Sequence, residues 1–173
     1  MRVNYRQCQP GCILVHKRGG FFSVSGILSR LLKLFDKNYD GYGWHLSIAW
    51  KQEWNGWWIL EATTDGVECN FYHTEYLFED TRVYKWFDEP PNARDMADFF
   101  NEYKGKIYDR LVYFWTGLAI ILRRFWGIEM VHPDDDKFTC WELTAEFTEE
   151  MGKPILECYQ MIIISDMVKR LEV

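Results

Sequence analysis

The stretch Phe138-Thr139-Cys140-Trp141-Glu142-Leu143, residues 138–143, predicts the start of a helix. Thr139 followed three residues later by Glu142 is a capping box, in which the threonine hydroxyl accepts a backbone N–H and the glutamate reaches back to the cap. Cys140 then occupies the first helical position, and the helix is expected to end at Gly152. The side chains at helical spacing that would pack inward are Cys140, Leu143, Phe147 and Met151.

A thiol at this position has two interpretations. In the first turn of a helix it lies near the positive end of the helix dipole, which favours the nucleophilic thiolate. A single free cysteine, however, is more often a small buried apolar residue than a nucleophile. Catalysis by Cys140 would require a histidine that exchanges the thiol proton and a polar group that orients this histidine.

Two predicted strands supply such residues. His45-Leu46-Ser47-Ile48-Ala49-Trp50 alternates as a half-buried strand, which places the smaller and more polar side chains on one face: His45, Ser47 and Ala49. The next predicted strand covers residues 57–62, and Glu61 is its only charge. A carboxylate at the end of an apolar run needs a partner, because an unpaired buried charge is costly. His45 is therefore the candidate base, and Glu61 is the candidate orienting group.

The turn between these two strands decides whether the two side chains meet. A wide turn over residues 51–56 makes Glu61 a near neighbour of His45. A two-residue turn at Asn55-Gly56, the strongest local turn signal, shifts the register and takes Glu61 away from His45. The sequence leaves both alternatives open.

Composition narrows the class of protein. A chain of 173 residues predicts one domain with a sizeable core. Nine Trp, ten Tyr and twelve Phe indicate either a dense aromatic core or an apolar binding surface. A net charge of −6 argues against nucleic acid as a partner. The cysteines include no CxxC motif, which favours reduced thiols; a zinc site built from histidines and cysteines is a weaker alternative that no spacing supports.

The ends of the chain and its apolar segments bear on location. The N-terminal segment MRVNYRQCQP contains no apolar run of the secretory type, so we expect a cytoplasmic protein, with delivery by a virus or phage as an open alternative. The longest apolar stretch, from Leu111 to Leu122, is too short to span a bilayer. We therefore expect no transmembrane segment, and the oligomeric state stays open.

Five short segments follow one another along the chain in an informative order: Pro10 to Leu14, Tyr42 to Ile48, Leu60-Glu61-Ala62 with Gly66-Val67, Gly105 to Asp109, and Phe138 to Leu143. They resemble, respectively, the motifs G-D-I-L, Y-S-H-V-G-I, E-A…G-V, G-x-P-Y-D and Y-x-C-S-E-L. These motifs belong to the circularly permuted, papain-like branch of the NlpC superfamily, the YiiX-like proteins. Enzymes of the lecithin:retinol acyltransferase type are more distantly similar.

The resemblance implies a single α+β domain of the permuted papain-like fold, in which a small antiparallel sheet packs against helices that include the nucleophile helix. It implies a thiol hydrolase that cleaves an amide or ester bond through an acyl-enzyme, with Cys140 as the nucleophile, His45 as the general base and Glu61 as the orienting group. The backbone N–H of Cys140 is the expected oxyanion donor. No metal or organic cofactor is implied.

The chain also departs from the family pattern. Cys12 replaces an aspartate, and Trp44 and Trp141 replace small serines beside the expected catalytic pair. These changes bear on the substrate, for which peptide-like and acyl or lipid-like groups are both compatible. An acyltransferase and a non-catalytic binding module on the same fold are the alternative functions.

Overall fold

The computed structural model describes residues 1–17, 42–109, 118, 121–122, 125–128, 138–155, 167 and 170–172. Six strands belong to this part of the chain: β1 (Arg2–Val3), β2 (Ile13–Lys17), β3 (Tyr42–Glu53), β4 (Gly56–Thr63), β5 (Gly66–His73) and β6 (Thr81–Tyr84). The same part of the chain contains a 3₁₀-helix (Tyr5–Gln7) and the helices α1 (Thr74–Glu79), α2 (Ala93–Tyr103) and α3 (Cys140–Glu150). The prediction of a mixed α+β architecture is confirmed.

All six strands form one open antiparallel sheet in the order β1-β6-β2-β3-β4-β5. Its central strands alternate side chains between two faces, so each face gathers its own cluster of buried residues. The main cluster contains Leu46, Ile48 and Leu60 together with side chains from α2 and α3. The second cluster lies on the other face and contains Leu14, Ala49, Trp57, Ile59 and Leu77.

The hairpin of β3 and β4 differs from both turns considered in the sequence. Glu53 pairs with Gly56, so the turn is a two-residue loop of Trp54 and Asn55. Trp54 adopts a φ of 51°, in the left-handed region that such tight loops require. The predictions of a wide turn over 51–56 and of an Asn55-Gly56 turn are both wrong, because pairing continues almost to the tip.

A β-bulge at Trp50 corrects the register further along this hairpin. Lys51 pairs with Trp58 near the turn, whereas Ala49 pairs with Ile59, so Trp50 is the extra residue on β3. Without it, Glu61 would lie opposite Ile48 and would face the main cluster. With it, Glu61 lies opposite Ser47, on the other face of the sheet.

Helix α3 begins as its sequence predicts. Thr139 is the N-cap, its side chain accepts the backbone N–H of Glu142, and the Glu142 carboxylate accepts the backbone N–H of Thr139 at 2.8 Å. Cys140, Leu143 and Phe147 are buried in the main cluster, and Met151 packs against it. The capping box, the buried face and the helix start at Cys140 are therefore confirmed.

Most of the apolar stretch from Leu111 to Leu122 lies outside the described residues. Among the residues that are described, no helix has the length and apolar character needed to cross a membrane.

Candidate active site

The imidazole of His45 and the carboxylate of Glu61 meet on the face of the sheet that carries the second cluster. Nε2 of His45 lies 2.8 Å from Oε2 of Glu61. Ser47 lies directly opposite Glu61 in the ladder, so His45, two residues before it, is the diagonal neighbour on the same face. The structure thus brings together the predicted base and the predicted orienting group, and the bulge at Trp50 makes this contact possible.

The second oxygen of Glu61 is held by strand β5. Oε1 accepts a hydrogen bond of 2.5 Å from the Tyr72 hydroxyl and one of 3.2 Å from the Asn70 amide. Asn70 also donates to Glu68 at 3.2 Å, and so bridges two carboxylates that lie directly opposite each other. The three described partners of the Glu61 carboxylate, His45, Tyr72 and Asn70, can each donate a hydrogen bond to it, so the carboxylate faces His45 as an acceptor.

These contacts set the charge of Glu61, which is only 5% exposed. Burial by itself raises the pKa of a carboxyl group. The hydrogen bonds from His45, Tyr72 and Asn70 outweigh this effect and lower the pKa of Glu61 to about 2. Glu61 is therefore a carboxylate at neutral pH.

Cys140 reaches His45 where β3 and β4 separate. Pairing of these two strands ends at Ser47 and Glu61, although β4 continues in register with β5 to Thr63. Helix α3 packs against both β3 and β4, and its first residue brings a buried thiol, 3% exposed, close enough to His45 to raise the pKa of the imidazole. The imidazole is thus contacted by a carboxylate and by a thiol.

The protonation of His45 follows from these two partners. Burial lowers the pKa of His45, but hydrogen bonds with Cys140 and Glu61 raise it to about 10. An imidazolium between a thiol and a carboxylate is the charge state that this environment stabilises. Because Nε2 is occupied by Glu61, Nδ1 is the nitrogen left for proton exchange with the thiol.

Residues 105–109 tie the start of α3 to the sheet. Gly105 donates its backbone N–H to Val67 at 3.0 Å, and Val67 donates to Lys106 at 3.1 Å. Two residues later the chain pairs with Phe138, which donates to Ile107 at 2.9 Å and accepts from Asp109 at 3.1 Å. This segment thus connects β5 to the residue just before the cap of α3, which fixes where Cys140 begins the helix.

A second histidine, His16, also belongs to the site, and sequence reasoning did not select it. It lies directly opposite His45 in the ladder of β2 and β3, with ring centroids 5.3 Å apart. Its Nε2 is 2.7 Å from Oγ of Ser47, and its Nδ1 is 3.0 Å from Oγ1 of Thr81. The period-two alternation of each strand was the available signal, because it places these residues on one face once the register is known.

Two of the residues that depart from the motifs of the resembled family have clear surroundings. Trp141 is 5% exposed and packs in the main cluster, so it supports the start of α3 from within the core. Cys12 is buried in the second cluster, where a hydrogen bond from Cys8 lowers its pKa to about 7 although burial raises it. The side chain of Trp44 lies outside the described residues.

A metal centre would need several ligands in one place. Within the part of the chain that the structure describes, no group of three or more His, Cys, Asp and Glu side chains is arranged to hold a metal ion.

Neither the comparison with protein-family models nor the comparison with curated proteins found a match to the chain.

Proposed function

We propose that the protein is a cysteine-dependent hydrolase that cleaves an amide or ester bond through an acyl-enzyme. The observation that carries this proposal is the position of His45, whose imidazole contacts the Cys140 thiol and the Glu61 carboxylate at the same time. A nucleophile, a base and a group that orients the base, in this mutual arrangement, are the parts that thiol catalysis requires.

The first half of the reaction forms a thioester. The reactive form of the site is the one in which the thiol proton has passed from Cys140 to His45. The thiolate attacks the carbonyl carbon of the substrate, and the carbonyl π electrons move to the oxygen. The backbone N–H of Cys140, at the positive end of α3, donates a hydrogen bond to this oxyanion. His45 then gives its proton to the leaving amine or alcohol as the C–N or C–O bond breaks.

The second half of the reaction releases Cys140 from the acyl group. Water attacks the thioester, and His45 accepts its proton while Glu61 keeps the Nε2–H bond directed. Collapse of the second tetrahedral intermediate breaks the C–S bond and releases the acid. Transfer of the acyl group to another acceptor shares every step up to the thioester, so product analysis distinguishes an acyltransferase from a hydrolase.

The experiment measures alkylation of Cys140 by peptide-resolved mass spectrometry, with anionic iodoacetate and neutral iodoacetamide. In the wild type, the imidazolium of His45 attracts the anionic reagent, so the iodoacetate rate is high relative to the iodoacetamide rate up to about pH 10, where His45 loses its proton. His45→Ala removes this preference and lowers the rate at neutral pH by a factor on the order of 10².

Other thiols serve as internal references in the same experiment. Burial and the nearby Glu61 raise the pKa of Cys69 to about 12, so it should react slowly. Cys12 is the thiol to separate from Cys140, and a Cys12→Ser background removes it. A Cys140 profile like that of an ordinary thiol, unchanged by His45→Ala, would refute the catalytic proposal and favour a non-catalytic binding module on this fold.

A further inference from the structure

We propose that His16 is a positioning residue for the general base: its ring packs beside the ring of His45 and limits how far that ring can tilt. This inference rests on the proposed function and assigns a role that the triad of Cys140, His45 and Glu61 does not include. The hydrogen bond at Nε2 fixes one edge of the His45 ring, and the packing on the face of the ring then decides how far it can tilt about the Nε2–carboxylate direction.

His16, on the neighbouring strand, limits this tilt of the His45 ring. The two rings belong to directly paired residues of β2 and β3, with centroids 5.3 Å apart and planes inclined by 33°. The face of one imidazole therefore limits the tilt of the other. A base held within a narrow range of orientations keeps its free nitrogen directed at the thiol, which is where orientation contributes to rate.

The His16 ring is held in place because each of its two nitrogens lies at hydrogen-bonding distance from a hydroxyl group. Ser47, at 2.7 Å from Nε2, belongs to β3, and Thr81, at 3.0 Å from Nδ1, belongs to β6, so the ring is held from the strands on both sides of β2. Hydroxyl groups both donate and accept, so a neutral imidazole satisfies them in either tautomer. The contacts of His16 and of His45 form two parallel diagonals across adjacent strand pairs, one to Ser47 and one to Glu61.

The His16 ring is also neutral, because of its burial and its neighbours. Burial and the adjacent His45 lower the pKa of His16 to about 3, while Glu61 acts in the opposite direction. The charged groups that face His16 are therefore the imidazolium and the carboxylate of the site itself. A neutral ring at this position leaves the proton shared between His45 and Cys140 undisturbed.

Two variants separate the ring from its anchors. His16→Gln keeps hydrogen-bonding atoms for Ser47 and Thr81 but removes the flat ring, so we expect retained stability and a Cys140 alkylation rate at pH 7 at least about fivefold lower. His16→Phe keeps a flat ring and removes both nitrogens, so we expect lower stability with a near-normal rate and reagent preference. The matched control is His73→Gln, at an exposed histidine on the same sheet, which should change neither quantity.

The possible outcomes are distinct. A folded His16→Gln protein with the wild-type rate and reagent preference overturns the proposal, and so does a rate that follows stability across both variants. If His45→Ala is also without effect, the proposed function itself fails; if only the His16 variants are without effect, that function stands and the positioning role fails.

A measurement on the unaltered chain covers the case in which a variant does not fold. NMR relaxation of ¹³C-labelled imidazole groups should show the His45 ring as rigid as the surrounding backbone. A ring that exchanges between rotamers in the folded wild type would overturn the proposal.

Discussion

The clearest quantitative prediction concerns the stability of the fold in mild acid, and the perturbation is His16→Gln. A histidine in the unfolded chain has a pKa of about 6.5, whereas burial and His45 lower the pKa of His16 in the fold to about 3. Below pH 6.5 the unfolded chain therefore binds a proton that the fold excludes. Stability due to this group is complete above pH 6.5 and falls as the pH is lowered toward 3.

The magnitude follows from the two values. Between pH 6.5 and pH 4.5 the linkage relation gives a loss of about 2 kcal/mol, and the full loss approaches roughly 5 kcal/mol near pH 3. This upper window isolates His16 from the rest of the site. His45 is protonated both in the fold and in the unfolded chain below pH 6.5, so its contribution is constant there, and Glu61 begins to lose its contribution only below its unfolded value of about 4.5.

The assay is urea unfolding at closely spaced pH values from 7 to 4.5, for the wild type, His16→Gln and the control His73→Gln. The wild-type curve should fall by about 2 kcal/mol relative to the His16→Gln curve across the window. His73→Gln should follow the wild type. Parallel wild-type and His16→Gln curves would show that the fold does not hold His16 as a neutral, desolvated ring, and would refute the reasoning.

Three further predictions concern the carboxylate and the helix start. Between pH 4.5 and pH 2 the free energy of unfolding of the wild type should fall by roughly 3 kcal/mol, because the stability from a carboxyl whose pKa is lowered is lost as the pH falls through the folded value. Glu61→Gln should abolish this loss. Acid unfolding monitored by circular dichroism checks this, and an acid limb unchanged by the substitution would contradict it. Tyr72→Phe should cost about 1 kcal/mol in urea unfolding at pH 7 by removing the 2.5 Å hydrogen bond to Glu61, and no measurable change would mean that Asn70 and solvent replace the hydroxyl in full. Thr139→Ala should cost about 1 kcal/mol through loss of the helix cap, whereas Thr139→Ser should stay within a few tenths of the wild type; equal losses in the two variants would show that packing of the threonine methyl group, and not the cap, is responsible.

Local sequence signals were sufficient to predict the start of helix α3. The capping box of Thr139 and Glu142 involves residues three positions apart, so its geometry depends on the helix itself and hardly on the rest of the fold. The alternation around His45 likewise predicted correctly that His45, Ser47 and Ala49 share a face of the sheet. Both signals involve residues only a few positions apart, so they can be recognised in the sequence without knowledge of the rest of the fold.

Two contacts of the site depended on pairing between strands. Whether Glu61 faces His45 depends on one extra residue, Trp50, because a one-residue change of register moves every side chain of a strand to the opposite face. His16 became part of the site only through the pairing of β2 with β3, which joins residues 29 positions apart along the chain. No local pattern in either strand specifies such a partner.

The sequence by itself determined the elements and the reactive groups: a capped helix that begins at a cysteine, strands with a polar and an apolar face, and one carboxylate at the end of an apolar run. The tertiary structure alone decided that the thiol, the imidazole and the carboxylate meet, and that a second imidazole supports the first. The physical reason is the distance along the chain over which each interaction acts. Capping and alternation depend on neighbouring residues, whereas the register of a hairpin and the separation of two strands depend on how the whole sheet and its helices bury their apolar faces.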